Sequence, residues 1–266
     1  MMGYNHPLRN SLIDTDLLPM QAQTDPTRQL ARRFARLEAL SPGEVDTLCR
    51  LVRRIARIPA YEEVAKEAGR EVSVLLSGIA CQVRLLGSGR RQITSLIVPG
   101  DICDYGFLTG DAAQGTIMAL TPSHVGRIAI GSLTELCDHY PRMMRAVLRG
   151  AATVGAISQE RVISLGLRTA LERVAHLLCE MHARLDAVGL VSDGNSYDLP
   201  LTQAELGEAL GLSTVHINRT LQVLRRNGTI TMRNGVVAID DLEGLRREGG
   251  FDPAYLGLER SAAADD

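Results

Sequence analysis

Leu201-Thr202-Gln203-Ala204-Glu205-Leu206-Gly207 and, resuming at Gly211, Gly211-Leu212-Ser213-Thr214-Val215-His216-Ile217-Asn218-Arg219-Thr220-Leu221 decide how this chain folds. Thr202 followed by Glu205 is a capping box. The hydroxyl takes one orphan backbone N–H of a helix start, and the carboxylate reaches back to the N-cap's own N–H. Leu206 and Leu210 then share a face, and Gly207 falls where a second segment must cross closely. Gly211 suits a left-handed stop, with Leu212 plugging the apolar side of the turn. Ser213 caps a second helix, in which Ile217, Leu221 and Leu224 recur at helical spacing. Gly228 ends that helix. Residues 229–233 and 236–239 flank Asn234-Gly235, a pair that favours the positive-φ turn of a hairpin. Two short helices joined this way and followed by a hairpin form a winged helix-turn-helix.

The same stretch is locally cationic. Residues 213–239 contain Arg219, Arg225, Arg226 and Arg233 and neither Asp nor Glu, in a chain of 266 residues whose net charge is −2. Such an excess on one helix and its wing suits a duplex phosphate backbone. The competing reading is an Arg-rich face on a module that binds a partner protein. With no Trp, three Phe and six Tyr, the chain has few rings on which to stack single-stranded bases.

Working outward, residues 28–40 read as a helix with Leu30, Phe34 and Leu37 on one side. Ser41-Pro42-Gly43-Glu44 opens another that ends near Ile55. Between 58 and 130 the period falls to 2. Ile79, Cys81, Val83 and Leu85 alternate with polar neighbours, Gly87-Ser88-Gly89 turns the chain, and 92–98 returns. After Pro99-Gly100-Asp101, 116–120 and 124–130 add strands, so a small antiparallel barrel is expected. Ser132 with Glu135 is a further capping box.

A long run at 142–165 follows, roughly 36 Å if helical. Met144, Ala151, Ser158 and Leu165 recur every seven residues, with Val147, Val154 and Arg161 three further on, a pattern that predicts a dimer seam. An ordinary core helix is the alternative. Gly166 is expected to break the run, and 168–187 forms an amphipathic helix with Leu171, Val174, Leu178, Met181 and Leu185 inward. The fold class is therefore α+β. The expected division is a flexible tail at 1–27, a sensory β-barrel with flanking helices at 28–140 and a dimerisation helix at 141–166. A winged helix-turn-helix domain at 167–250 and a C-terminal tail at 251–266 complete it.

Several function classes find no support in the sequence. No stretch approaches the ~20 apolar residues of a membrane span, and 1–10 lacks the apolar core of a secretory signal. The five cysteines, Cys49, Cys81, Cys103, Cys137 and Cys179, are odd in number and widely spaced, which fits a reducing cytoplasm better than a disulfide framework. Gly-x-Ser-x-Gly, the phosphate-binding Gly-x-x-x-x-Gly-Lys and His-Glu-x-x-His are all missing, so no enzyme is expected.

On the residues 201–207 and 211–221, with 224–230, the Pro99-Gly100-Asp101 turn and the long helix, the chain resembles the superfamily of the cyclic-AMP receptor protein and the fumarate–nitrate regulator (Crp/Fnr). The likeness extends over roughly 28–254. It implies a homodimeric transcription factor that binds double-stranded DNA through an inverted-repeat operator, with RNA polymerase as a further partner. By position in the motif, Arg219 matches the family's base-reading Arg, and Thr214 and Val215 occupy the other base-facing positions, with Asn218 near the groove. Thr202, Gln203, Ser213 and His216 fall where relatives touch phosphate. Arg225, Arg226 and Arg233 are further candidates for phosphate contact. Thr214 and Val215 depart from the pairs of both named branches, so the operator is expected to differ from theirs.

The sensory signal is less legible. Counting from Pro99-Gly100-Asp101, the family's ribose-binding Glu position falls on Tyr105 and its phosphate-binding Arg on Gly115, before Thr116. Asp111 adds a negative charge nearby. An unpaired buried phosphate is costly, so cyclic nucleotide in the usual mode is not expected. The candidate effector pocket is Asp104, Tyr105, Gly115 and Thr116, for a small-molecule or redox effector of unknown identity. No Cys precedes Cys49, which leaves an N-terminal iron–sulfur cluster without ligands. His176, Cys179 and Glu180 share a helix face with His182 following; two coordinating residues on one helix can hold zinc, but without a third partner to complete them the site is weak. No cofactor and no metal are expected. The remaining alternative is a ligand-binding module acting on a partner protein.

Overall fold

In a computed structural model, which describes residues 25–64, 70–110, 115–192 and 194–258, the first helical run becomes α1 (Arg28–Leu37). Its buried face is Leu30, Phe34 and Leu37, joined by Arg33. Residues 1–24 of the tail expected at 1–27, Asp111, and the residues from Glu259 onward lie outside the described residues. Helix α2 (Pro42–Arg50) starts at the expected capping box, with Ser41 N–H donating to Glu44 Oε2 at 2.7 Å. It ends sooner than expected, because Arg54–Ile58 leaves the helix to form strand β1.

Strands β2 (Glu71–Ser77), β3 (Ala80–Leu85), β4 (Arg91–Ile97), β5 (Thr116–Ala119) and β6 (Ser123–Ala129) complete the sensory part. They do not close into a barrel. Two antiparallel sheets, in the orders β1-β6-β2 and β4-β3-β5, share a core of Leu75, Ala80, Ile97, Ile117, Ala119 and Val125. Single bridges such as Val74↔Ile102 and Glu63↔Met118 link segments around them, a roll rather than a continuous ladder.

Helix α3 (Ile130–His139) begins two residues before Ser132. The chain enters it directly from β6 with Ala129 as N-cap, so the expected box at Ser132–Glu135 does not form. Helix α4 (Pro141–Leu167) runs through Gly166. A helical Gly costs about 1 kcal/mol against Ala, and Arg173 offsets part of this by donating to the exposed end carbonyls of Leu165 and Arg168.

Helix α5 (Ala170–Ala187) is buried nearly all round from Val174 to Met181, since the sensory sheet covers one side and the DNA-binding domain the other. Its buried polar side chains, His176, Glu180, His182 and Arg184, each find hydrogen-bond partners there. Beyond it come β7 (Ser196–Asp198), α6 (Gln203–Leu210), α7 (Thr214–Arg226), β8 (Ile230–Arg233), β9 (Val236–Ile239) and α8 (Leu242–Gly249). The wing is a three-stranded sheet in the order β7-β9-β8. One apolar cluster runs from Cys81, Ile93 and Leu96 through α5 to Leu206, Ile217 and Leu224. The C-terminal tail starts later than expected, because Phe251, ahead of a short turn at Pro253–Leu256, and Leu256, which ends that turn, are buried in the cluster.

Candidate DNA-reading surface and sensory cavity

The helix-turn-helix forms as its caps dictate. Thr202 Oγ1 accepts from Glu205 N–H at 3.2 Å, and Glu205 Oε2 accepts Thr202 N–H at 2.7 Å. Gly211 takes the left-handed conformation at φ 64°. A Cβ at Gly207 would stand 2.5 Å from the Leu212 carbonyl, so only Gly admits the crossing turn. Ser213 Oγ accepts from His216 N–H at 3.3 Å and starts α7. Ile217, Leu221 and Leu224 are buried, which turns the opposite face to solvent.

That face carries the sequence candidates. Thr214 and Arg219 are exposed, and Val215 is 76% exposed, a large value for an apolar side chain on a rigid helix. Thr202, Ser213 and His216 are exposed around them, and Arg225, Arg226 and Arg233 are exposed further along α7 and on the wing. Arg225 Nη2 also donates to the Met232 carbonyl at 3.4 Å, bracing the wing. Asn218 is engaged at both ends of its amide. Its Nδ2 donates to Gln203 Oε1 at 3.3 Å, and its Oδ1 accepts from Gln222 Nε2 at 2.8 Å. The Gln203–Asn218 pair therefore ties α6 to α7.

In the sensory part, a cavity of about 200 Å³ lies between β4, the turn after Pro99-Gly100-Asp101 and α4. Asp104 and Tyr105 line it, with Arg33, Gln82, Ser95 and Arg184. Gly115 and Thr116 are not among its lining residues, which corrects their place in the expected pocket. Thr116 pairs with Val83 at the exposed end of β5, and Gly115 sits against the Val83 carbonyl. Tyr105 turns inward instead, its hydroxyl against Gly150 of α4, and burial raises its pKa.

The cavity's charged wall has no counterpart among the sequence expectations. Asp101 accepts from Arg33 Nε at 3.2 Å, from Arg184 Nη2 at 2.7 Å and from Val98 N–H at 3.1 Å. Arg184 Nη1 donates to Glu180 at 3.1 Å, and Arg184 Nη2 donates to the Leu96 carbonyl at 2.8 Å. Glu180 also faces Arg161 at 3.8 Å and takes a hydrogen bond from Tyr255 Oη at 3.2 Å. The signal available in the sequence is Glu180 and Arg184, four apart, on a helix whose neighbours are apolar. Such a pair survives inside a core only when both charges find partners.

The cysteines and histidines have structural surroundings. Burial pushes the Cys81, Cys103 and Cys179 thiols up to about 12 and Cys137 to about 11, which keeps them protonated and poorly nucleophilic. His176 bonds the Gly249 carbonyl and Tyr255 Oη, whereas His182 bonds Asn195 Oδ1 at 3.3 Å. Among the described residues, no three His, Cys, Asp or Glu side chains gather as metal ligands. No helix among them is long and apolar enough to cross a membrane.

Comparison with known proteins agrees with both halves. Residues 64–140 match the family model of the cyclic nucleotide-binding domain, and 172–248 match that of the Crp-like helix-turn-helix domain. The nitrogen fixation regulation protein FixK of Azorhizobium caulinodans is 27% identical over 239 residues, 86% of this chain and 94% of that protein. An anaerobic regulatory protein of Haemophilus influenzae is 26% identical over 221 residues, 82% of this chain and 85% of that one. The solved structure of FixK2 from Bradyrhizobium japonicum superposes with a TM-score of 0.64 at 24% identity, covering 79% of this chain and 98% of the other. The chain belongs to the Crp/Fnr family, and it is a DNA-binding transcription regulator rather than an enzyme.

Proposed function

We propose that the chain acts as a homodimer on an inverted-repeat operator, with one α7 in the major groove of each half-site. The observation that carries this reading is the solvent-facing row of Thr214, Val215 and Arg219 on a helix whose other side is locked into the core. A guanidinium at Arg219 pairs with guanine O6 and N7, and Val215 offers an apolar contact to a thymine methyl. Thr202, Gln203, Ser213, His216, Arg225, Arg226 and Arg233 border the row and serve phosphate. Asn218, held by Gln203 and Gln222, sets the angle of the row beside its own approach to the groove.

The dimer reading is supported by a stripe on α4. Leu148 (51% exposed), Gly155 and Val162 (70% exposed) stand seven residues apart and face solvent, with Ala152, Gln159 and Ile163 beside them. The expected seam is thereby shifted. Val147 is buried in the sensory core and Arg161 faces Glu180, so those two positions belong to the chain's own interior. An isologous pairing of two α4 helices covers the stripe.

The effector, on this reading, enters the cavity beside Tyr105. Cyclic AMP is disfavoured because the two guanidiniums that line the cavity, Arg33 and Arg184, are already held by Asp101 and Glu180. Promoter-bound dimers act through RNA polymerase, in the cytoplasm where the DNA is. Selection from a random-sequence duplex library, followed by anisotropy titration of the enriched site, tests the proposal. An inverted repeat with half-sites about one helical turn apart is expected. Enrichment of a single unrepeated site would refute the dimeric mode.

A further inference from the structure

Strand β4 meets two features at once. Its C-terminal half, Ser95, Leu96 and Ile97, lines the cavity. Its N-terminal end grips the DNA-binding domain. Arg91 Nε and Nη2 each lie 2.7 Å from Oε2 of Glu208 on α6, and Gln92 Nε2 donates to the Glu208 carbonyl. A single residue of α6 is thus held by side chain and main chain from one strand. The Arg91 side chain is 12% exposed and that of Glu208 29%, so solvent screens this pair less than an open surface pair. Beneath it, Ile93 and Leu96 share the apolar core with Leu206, Ala209 and Leu210.

The two halves of β4 meet at an irregularity. Opposite β3, Gln82 pairs with Ser95 but Val83 pairs with Ile93, which leaves Thr94 as an extra residue. Such a bulge bends its strand and increases the local twist. It lies between the residues that face the cavity and those that hold α6. Arg184 anchors to the Leu96 carbonyl just beyond it.

We propose that β4 is a strut that transmits the state of the cavity to the helix-turn-helix, with the Thr94 bulge as its pivot and the Arg91–Glu208 and Gln92–Glu208 contacts as its grip. Val215 and Arg219 stay exposed while α6 is gripped, so the grip does not cover the reading face. It fixes the angle at which that face is presented. In a two-fold dimer that angle sets the distance between the two α7 helices, and hence the fit to a repeat of fixed spacing. Contents that press on Ser95–Ile97 shift the bulge, and Arg91 and Gln92 move α6 with it. The inference rests on the dimeric reading and on the cavity as the effector site.

The test uses the full chain, with a phenyl ring standing in for an effector. Ser95→Phe fills the cavity, and Arg91→Ala with Gln92→Ala and Glu208→Ala opens the grip, because the Gln92 bond runs to the Glu208 carbonyl and survives a side-chain change at 208 alone. Two quantities are read: amide exchange across 203–210, and the affinity ratio for the selected operator over a scrambled duplex. Ser95→Phe is expected to change both, the ratio by roughly threefold to tenfold, and to change neither once the grip is open. Arg91→Glu with Glu208→Arg is expected to restore the coupling. Equal effects of Ser95→Phe with and without the grip would overturn the strut. If Ser95→Phe does not fold, as judged by circular dichroism, the double-mutant cycle of Arg91→Ala and Glu208→Ala on the ratio decides. A shared, non-additive loss supports the grip, and additive effects or no loss overturn it. A chain that proves monomeric removes the dimeric reading alone, since the exchange arm reports the strut in either oligomeric state.

Discussion

Arg184 Nη2 of α5 lies 2.7 Å from Oδ2 of Asp101, so the turn that walls the sensory cavity is ionically bonded to the helix that carries the core of the DNA-binding domain. Both side chains are largely buried, at 6% and 14% exposure. Removing one partner leaves the other charge without compensation in a poorly solvated place. Asp101→Ala takes the carboxylate from Arg33 and leaves Arg184 to Glu180 and the Leu96 carbonyl, and a loss of about 3–5 kcal/mol in unfolding free energy is expected from urea titration. Arg184→Met takes one cation from Asp101, which keeps Arg33, and one from Glu180, which keeps Arg161 and Tyr255, so it is expected to cost less. A double variant, Asp101→Asn with Arg184→Met, should cost less than the sum, because it strands fewer charges. Additivity would show that the pair is energetically idle.

Tyr105 and Gly150 form a second tight relationship, this one between the sensory turn and α4. A methyl at Gly150 would run into Tyr105 Oη and lie 3.1 Å from Cζ. Gly150→Ala is expected to destabilise the fold by about 1–3 kcal/mol through overpacking, despite the better helix propensity of Ala. Tyr105→Phe removes the clashing oxygen, so Gly150→Ala made in that background should recover most of the loss. Thermal unfolding of the four combinations checks this. An equally destabilising Gly150→Ala in both backgrounds would place the strain elsewhere.

The helix-turn-helix is legible from sequence because its local signals agree with its tertiary role. Thr202, Glu205, Gly211 and Ser213 each do in the structure what their chemistry favours alone. The sensory strands are legible only where one face meets solvent. Strand β3 alternates and can be read, but β2 is buried along Val72–Leu76 on both faces and shows no period of 2 to detect. Strand β1, an exposed edge strand with Arg54 and Arg57, carries too little apolar pattern. On α4 the heptad is visible, but both sides of the helix are apolar. Spacing therefore does not separate Val147, which faces the core, from Leu148, which faces solvent. The ionic wall of Asp101, Arg184 and Glu180 joins residues some 80 apart in sequence, beyond what any local pattern encodes.

Two buried histidines make stability depend on pH. Burial, assisted by Arg168, lowers the His176 pKa below 6.5, and burial lowers that of His182. Glu160 and Glu180 oppose the shift at His176 without reversing it. The unfolded chain therefore binds protons near pH 6.5 that the folded chain refuses, and stability rises with pH across that window. The contribution is complete above about 6.5 and is lost as pH falls toward the folded-state values. Urea midpoints should fall between pH 7.5 and 5.5, and His176→Gln with His182→Gln should flatten the slope. An unchanged slope in that double variant would assign the pH dependence to other groups.

The exposed α4 stripe gives a direct test of assembly. Leu148→Glu with Val162→Glu sets carboxylates on a face that meets its symmetry mate, whereas both side chains point to water in one chain alone. Sedimentation is expected to show monomers with an unchanged circular dichroism spectrum. Ala146→Glu, on the buried side of the same helix, should instead unfold the sensory core. A persistent dimer in the Leu148/Val162 variant would move the interface off α4.

Arg219 and Arg233 separate base reading from phosphate contact. Arg219 is exposed on the second turn of α7, flanked by Val215 one turn before it, while Arg233 ends β8 beside the Asn234-Gly235 turn of the wing. A forked guanidinium contact to guanine is worth about 1–3 kcal/mol of discrimination. Arg219→Ala should therefore lower operator affinity and flatten the preference at one base pair in each half-site. Arg233→Ala removes a charge that faces any sequence alike. It should weaken operator and scrambled duplex by the same factor. The slope of log affinity against log salt should fall by about one for each phosphate left unneutralised, or about two per dimer. Titrating both variants against the operator and its single-base changes at several salt concentrations distinguishes the two roles. Full base preference in Arg219→Ala would transfer direct readout to Thr214, Val215 and Asn218. A base-specific defect in Arg233→Ala would place the wing in a groove rather than on the backbone.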